Sequence, residues 1–218
     1  RPEWKHLRRH ARGLKGEGRA SVDPFWAITK HADIIELSKQ PEIWQNAPQL
    51  AVFTNEIPDM EEQPARHLLN MDPPDHREYR NVAAKQFTPR TVKLLAPHVE
   101  DMTKEILDAA AAKGEGDFVN DISAPITIGV IADMLGVPQS DRELLFRWTN
   151  EVIAPSDPDF QKGTPKETLD RARLELFAYF KSMSDERRGK PAQDIVSVVV
   201  SGAVYGKPLP DFELLSYY

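Results

Sequence analysis

The acids and prolines at residues 72–80 constrain the fold of this chain more than any other feature, because they define where a helix begins. Asp72 can cap the N-terminus of that helix, and Pro73 suits its first turn, where a backbone amide would have no partner. Asp75 is then an acid in the first turn, which the helix macrodipole favours. The sequence therefore predicts a helix that starts at Asp72.

His76 and Arg80 lie four residues apart on this predicted helix. Residues at that spacing share one face of a helix and are about one turn apart, so both side chains can reach a pair of carboxylates lying alongside. A His and an Arg one turn apart on a polar helix more often simply face solvent. The spacing alone leaves both interpretations open.

Three segments resemble bacterial cytochromes P450, in the order in which that family carries them. Residues 67–90 resemble its C-helix signature, residues 24–34 resemble the strand that leads into its B-helix, and residues 206–216 resemble the hairpin before its long central helix. The resemblance implies a mainly α fold with a small N-terminal β element, the N-terminal half of the P450 fold from helix A to helix H and the start of the central helix. It also implies that His76 and Arg80 bind the propionates of heme b.

The chain contains no cysteine, whereas the P450 family uses a cysteine thiolate as the axial ligand of the heme iron. Nothing in it resembles the family's oxygen-activating residues, its Glu-x-x-Arg pair or the Gly-rich loop that carries the ligand cysteine. We therefore interpret residues 1–218 as a single incomplete domain, the N-terminal half of a longer enzyme. We expect no catalytic residue and no metal ligand in it, and no monooxygenase activity from this chain alone.

Two segments are irregular by composition. Residues 41–70 contain several prolines and no clear periodicity, and residues 154–163 are rich in proline and glycine. The resemblance identifies them as the loop before the C-helix and the loop between the F and G helices, which cover the substrate pocket in the family. Residues 45–69 and 152–164 are thus candidate substrate contacts, with two ordinary surface loops as the alternative. The apolar candidates are Phe53, Ile57, Leu68, Leu69, Ile153 and Phe160.

Local patterns predict the first elements of the chain. Residues 25–30 are rich in β-branched and aromatic side chains, which is typical of a strand, and residues 33–40 should form the following helix. Thr88 and Pro89 predict an N-cap and a first-turn proline beyond the C-helix. By the same logic, Pro97 predicts the start of a second helix.

Further boundaries follow from glycines and capping boxes. Gly114 should end the helix that precedes it, and the apolar residues 125–135 should form a buried helix that Gly136 ends. A Ser or Thr followed three residues later by Glu predicts the start of two more helices. These pairs are Ser140 with Glu143, and Thr164 with Glu167.

Composition excludes several classes of protein. The net charge is −6, and a basic cluster at residues 1–19 is better explained by a solvated amphipathic helix than by a nucleic-acid-binding arm. The longest apolar run, residues 195–204, is far shorter than the ~20 residues of a membrane span. The absence of cysteine removes any disulfide framework. We therefore expect a soluble, cytoplasmic protein that binds neither nucleic acid nor membrane.

The sequence leaves two functions open. The first is the substrate-recognition and heme-propionate-binding half of a heme-thiolate monooxygenase, which hydroxylates an apolar small molecule with electrons from a ferredoxin-type or other redox partner. Arg77 and Lys85 are candidates for docking an acidic electron donor. The second is a non-catalytic helical module that binds a hydrophobic small molecule.

Overall fold

The computed structural model describes residues 13–16, 25–47 and 67–218. These residues are mainly helical with small β elements, which confirms the predicted fold class. The chain divides into two compact units, Arg1–Glu78 and Tyr79–Tyr218. The single incomplete domain stays a prediction. Among the described residues, no helix combines the length and the apolar content that crossing a membrane requires.

The first unit contains a two-stranded antiparallel sheet and a short helix. Strand β1 (Gly13–Gly16) pairs with β2 (Phe25–Ile28), so that Gly13 faces Ile28. Helix α1 (His31–Ser38) follows, and a 3₁₀ turn (Leu68–Asn70) precedes the next helix. The predicted strand and helix therefore both exist, although the helix begins two residues before the predicted start at residue 33.

Helix α2 (Asp75–Ala83) begins three residues after the predicted start at Asp72, so that prediction was wrong. The Asp72 carboxylate accepts hydrogen bonds from the backbone amides of Asn46 at 2.8 Å and Ala47 at 2.9 Å. A carboxylate occupied by these distant amides does not cap the helix. The backbone carbonyl of Asp72 instead accepts a 3.1 Å hydrogen bond from the amide of His76.

The second unit is a succession of helices with one small hairpin. Its longer elements are α3 (Pro89–Lys113), α4 (Ala124–Leu135), α5 (Arg142–Ile153) and α6 (Pro165–Gly189). They are followed by α7 (Ile195–Val200), the antiparallel pair β3 (Ala203–Val204) and β4 (Lys207–Pro208), and α8 (Asp211–Leu215). Short 3₁₀ turns (Ala84–Phe87, Gln139–Asp141) precede α3 and α5, and one π turn (Val119–Ser123) precedes α4.

Helix α3 begins where the sequence predicted and is longer than expected. The Thr88 hydroxyl caps it by accepting the amide of Thr91 at 3.3 Å, and Gly114 follows its last residue with φ 80°. The prediction that Pro97 starts a separate helix was wrong, because Pro97 lies inside α3. A proline removes one backbone hydrogen bond. Helix α3 nevertheless packs against α4 and against the 3₁₀ turn that precedes it.

One of the two predicted capping boxes exists. At the start of α6, Thr164 accepts the amide of Glu167 at 3.2 Å, and Glu167 Oε2 accepts the amide of Thr164 at 2.7 Å. The box predicted for Ser140 is absent. A 3₁₀ turn precedes α5, and the Ser140 hydroxyl donates to Oδ1 of the adjacent Asp141 at 2.9 Å.

The core of the second unit lies where α4 to α7 meet. Its buried members are Ala132, Val137, Leu145, Phe180, Met183 and Val196. Helix α4 ends at Gly136, which adopts a left-handed conformation with φ 79°. The predicted helix at residues 125–135 exists, but the expectation that it is buried was wrong, since only Gly129 and Ala132 are buried and Ile131 is 45% exposed.

Candidate functional site

Helix α2 carries both candidate propionate-binding residues, His76 and Arg80. Four residues advance a helix by about 6 Å, so the two side chains leave the same face roughly one turn apart. His76 is half-buried and Arg80 is exposed. Within the described part of the chain, neither side chain forms a hydrogen bond or an ion pair. Their donors can therefore serve a ligand without breaking a contact to any of the residues that the structure describes.

The charges of α2 explain why this segment is helical. Asp75 and Glu78 lie in its first turn, where the partial positive charge of the helix N-terminus favours acids. Arg80 lies in its last turn, where the opposite partial charge favours a base. The helix is polar except for Tyr79, Val82 and Ala83. Tyr79 and Ala83 are buried and define the packed face.

Tyr79 anchors the second half of α2, residues 79–83 of the second unit, to the end of that unit. Its hydroxyl donates a hydrogen bond to Oε2 of Glu213 in α8. The hydroxyl of Tyr217 donates to the backbone carbonyl of Tyr79 at 3.1 Å. None of these three residues was predicted from the sequence to have a functional role. The available signal was Tyr79 itself, the one aromatic residue in a helix of otherwise polar and small side chains.

Tyr217 is a neutral donor. Burial raises the pKa of its phenol, while the Ala83 amide and the Arg80 guanidinium act against that rise. The phenol is therefore protonated at neutral pH and can donate to the carbonyl of Tyr79.

The candidate substrate contacts are found in both units. Phe53 and Ile57 lie outside the described residues. Leu68 is half-buried and Leu69 is 69% exposed in the 3₁₀ turn of the first unit. In the second unit Ile153, the last residue of α5, is 77% exposed and Phe160 is half-buried. Their contact with substrate stays a prediction.

Residues 154–163 form turns without regular structure, as predicted, and polar contacts tie them to the flanking helices. The backbone amide of Lys162 donates to the Thr168 hydroxyl at 2.8 Å. Nζ of Lys162 lies 3.2 Å from Oε1 of Glu151, and the Arg171 guanidinium lies 3.5 Å from the same oxygen. Glu151 was missed from sequence. It follows the buried Trp148 by three residues, so the two side chains share one face of α5. That spacing could have predicted that Glu151 is buried.

A second carboxylate, that of Glu175 in α6, forms contacts with α5. The indole N–H of Trp148 donates to Oε2 of Glu175 at 2.7 Å, and Arg147 pairs with the same oxygen. The hydrogen bond from Trp148 and the nearby Arg147 and Arg171 hold the pKa of Glu175 below its usual value, against an opposing effect of burial. Glu175 is thus ionised at neutral pH and links the two helices.

Known proteins resemble this chain over most of its length. No protein-family model matches it. A steroid C26-monooxygenase of Mycolicibacterium smegmatis is 35% identical over 204 residues, which are 91% of this chain and 46% of that protein. A cytochrome P450 of Priestia megaterium is 29% identical over 206 residues, 89% of this chain and 49% of that protein.

The fold resembles the same group of proteins. The structure of a cytochrome P450 of Mycobacterium marinum in complex with pseudoionone matches 99% of this chain and 54% of its own, with a TM-score of 0.86 and 27% identity. This chain belongs to the cytochrome P450 family. It spans about half the length of the P450 relatives that it matches.

Membership of the P450 family implies a heme cofactor. The chemistry of His76 and Arg80 fits the propionate end of heme, because both are nitrogen donors without a partner among the described residues. The sequence has no residue that fits the thiolate end, since it contains no cysteine. The chain therefore supplies candidates for holding the propionates and none for the iron ligand.

Proposed function

We propose that this chain is the substrate-recognition and heme-propionate-binding half of a heme-thiolate monooxygenase that hydroxylates an apolar small molecule. The observation that carries the proposal is the pair His76 and Arg80, one turn apart on α2 and without a partner in the described residues, in a chain of the P450 family. The similar proteins named above include a steroid monooxygenase and a P450 in complex with pseudoionone. They support an apolar substrate for this chain.

Each residue of the pair has a distinct role in the proposal. The Arg80 guanidinium is always charged and can donate two parallel hydrogen bonds to one carboxylate. His76 donates to the other carboxylate through a ring N–H. Hydrogen bonds to charged groups contribute roughly 1.5–3 kcal/mol each. The pair would therefore orient heme and slow its loss.

Heme with a thiolate ligand supplies oxygen activation in this family. No residue of this sequence can be that thiolate, because the sequence contains no cysteine. We therefore propose that these residues by themselves do not catalyse hydroxylation. Their contribution is to hold the propionates and to shape the substrate pocket.

The proposed pocket residues are the apolar side chains of the two loops. Among the described ones, Leu69 and Ile153 support the assignment, since both are large apolar side chains left mostly exposed. Residues of this kind are expected where a substrate is to be desolvated. Leu68, Phe160, Phe53 and Ile57 complete the proposed set.

The propionate assignment is tested by heme retention. In the heme-loaded protein that contains this chain, replacing both His76 and Arg80 by Ala should raise the rate of heme transfer to apomyoglobin at least tenfold, as the loss of two charge-assisted bonds implies. Arg77→Ala is the matched control, because Arg77 is an exposed cation of the same helix. An unchanged transfer rate in the double variant refutes the assignment.

The second test uses the 218-residue chain alone. After addition of heme, reduction and exposure to carbon monoxide, its Soret band should lack the strong red shift of thiolate ligation. A red-shifted band, or product formation with a redox partner, refutes the proposal that this chain does not act alone. Tight binding of a hydrophobic ligand that heme does not affect would favour the non-catalytic binding module instead.

A further inference from the structure

Three contacts hold the second half of α2 against the last part of the chain. The Tyr79 hydroxyl donates to Glu213, and the Tyr217 hydroxyl donates to the Tyr79 carbonyl at 3.1 Å. Val82 packs so closely on Gly202 that a Cβ at residue 202 would collide with it. The side chain of Tyr79 is thus held by Glu213 of α8, and its backbone is held independently by Tyr217.

These contacts determine the rotation of α2 about its axis. One residue corresponds to about 100° of rotation in an α-helix, so fixing Tyr79 also fixes the direction in which Arg80 leaves the helix. Arg80 itself is exposed and has no hydrogen-bond or ion-pair partner in the described residues. Among the described residues, its placement therefore depends on Tyr79 rather than on contacts of its own head group.

Tyr217 is also electrostatically linked to Arg80. The Tyr217 hydroxyl bonds to the backbone carbonyl of Tyr79, the residue before Arg80, and the charge of Arg80 opposes the burial-driven rise in the pKa of the Tyr217 phenol. By holding the carbonyl of Tyr79, Tyr217 restricts the backbone from which the Arg80 side chain leaves. Restricting a side chain before binding lowers the entropic cost of binding.

We propose that Tyr217 and Glu213 are positioning residues for Arg80, acting through Tyr79 to hold α2 in the rotation that presents Arg80 to a carboxylate ligand. The inference rests on the proposed function, because that ligand is the heme propionate. Neither residue touches the ligand in this proposal. Their effect on heme retention must therefore pass through Arg80.

A double-mutant cycle tests this dependence. In the heme-loaded protein, Tyr217→Phe and Glu213→Gln should each raise the rate of heme transfer to apomyoglobin about three- to tenfold, as the loss of one hydrogen bond implies. In an Arg80→Ala background the same substitutions should add less than about twofold, because non-additivity identifies residues that act through one another. A purely structural role would raise the rate equally in both backgrounds.

Tyr218→Phe is the matched control. The Tyr218 hydroxyl lies 3.3 Å from that of Ser184 and 3.5 Å from the carbonyl of Val196, and its ring stacks on Phe180 in the core. This variant should leave the Arg80-dependent part of heme retention unchanged. Hydrogen exchange at the amides of residues 80–83, measured without heme, provides an independent readout and should accelerate in Tyr217→Phe but not in Tyr218→Phe.

The outcomes separate this inference from the proposed function. If Arg80→Ala leaves heme transfer unchanged, the propionate assignment fails. If Arg80→Ala accelerates transfer while Tyr217→Phe and Glu213→Gln do not, the positioning role fails and the assignment stands. Equal acceleration by these two variants with and without Arg80 likewise overturns the positioning role.

Discussion

Nζ of Lys162 lies 3.2 Å from Oε1 of Glu151, whose side chain is only 1% exposed. Lys162 belongs to the loop between α5 and α6, and Glu151 belongs to the last turn of α5. The Arg171 guanidinium is the second cation near this carboxylate, at 3.5 Å. A buried carboxylate is unfavourable without charged partners. This pair therefore restrains the end of the loop.

Replacing Lys162 by Met should lower the free energy of unfolding by about 1 kcal/mol, because it leaves the buried Glu151 with Arg171 alone. The loss stays below that of a fully buried pair, since Lys162 is 53% exposed and solvent screens its charge. Urea denaturation measures the change. Lys166→Met is the control, because the Lys166–Asp170 pair is about half exposed on both sides and should contribute no more than about 0.5 kcal/mol. Equal losses in the two variants would contradict the role given to Glu151.

Thr164→Ala should destabilise the protein by about 1 kcal/mol, because it removes the hydroxyl that accepts the amide of Glu167 at the start of α6. Ser140→Ala should change stability by less than about 0.5 kcal/mol, since its hydroxyl donates to Asp141 and caps no helix. Thermal unfolding of the two variants distinguishes a true capping box from one that exists only as a sequence pattern. A larger effect at Ser140 than at Thr164 would contradict the structure of both helix starts.

Gly136→Ala should cost more than about 1 kcal/mol, because residue 136 has φ 79° and an added Cβ would collide with the carboxylate of Asp194. Gly189→Ala is the matched control at the end of α6. It has no positive φ and no atom within 4 Å of the added Cβ. That substitution should be neutral or stabilising by up to about 1 kcal/mol. Similar unfolding midpoints for the two variants would refute the conformation assigned to Gly136.

The stabilising contribution of Asp194 should be lost in acid. Burial by itself would raise the pKa of this carboxyl, but hydrogen bonds from Ser197 and Arg187 outweigh it and hold the pKa below the usual value. A carboxyl with a lowered pKa in the folded state contributes stability above its unfolded pKa of about 3.9, and the contribution is lost as pH falls through the folded pKa. The stability difference between wild type and Asp194→Asn should therefore shrink between pH 6 and pH 3. A difference that stays constant over that range would argue against the prediction.

Charge reversal at Arg77 and Lys85 should slow reduction of the heme-loaded protein by a ferredoxin-type donor. Both residues are exposed, and their docking role is proposed from sequence. The effect should be strongest at low salt, because attraction between exposed charges is screened within roughly 10 Å at 0.1 M ionic strength. Stopped-flow reduction over a series of salt concentrations measures it. Equal rates for wild type and variant at every ionic strength would show that these cations are merely solvated.

Local sequence was sufficient to predict an interaction when both of its partners lie within one turn of a helix. Thr88 and Thr164 cap the helices that they were expected to cap, and Gly114 and Gly136 follow the ends of α3 and α4. The pairing of His76 with Arg80 on one helix is of the same kind, because a spacing of four residues already places two side chains on one face. These features depend on backbone geometry that neighbouring residues share.

Only the tertiary structure decided the features whose partners are far apart in sequence. Asp72 was expected to cap a helix but binds amides 25 and 26 residues away, and Tyr79 is anchored by Glu213, 134 residues later. Glu151 is buried where α6 and the loop before it bring Arg171 and Lys162 to its carboxylate. A carboxylate or hydroxyl accepts whichever donor the fold places within about 3 Å, and a local pattern does not specify that donor.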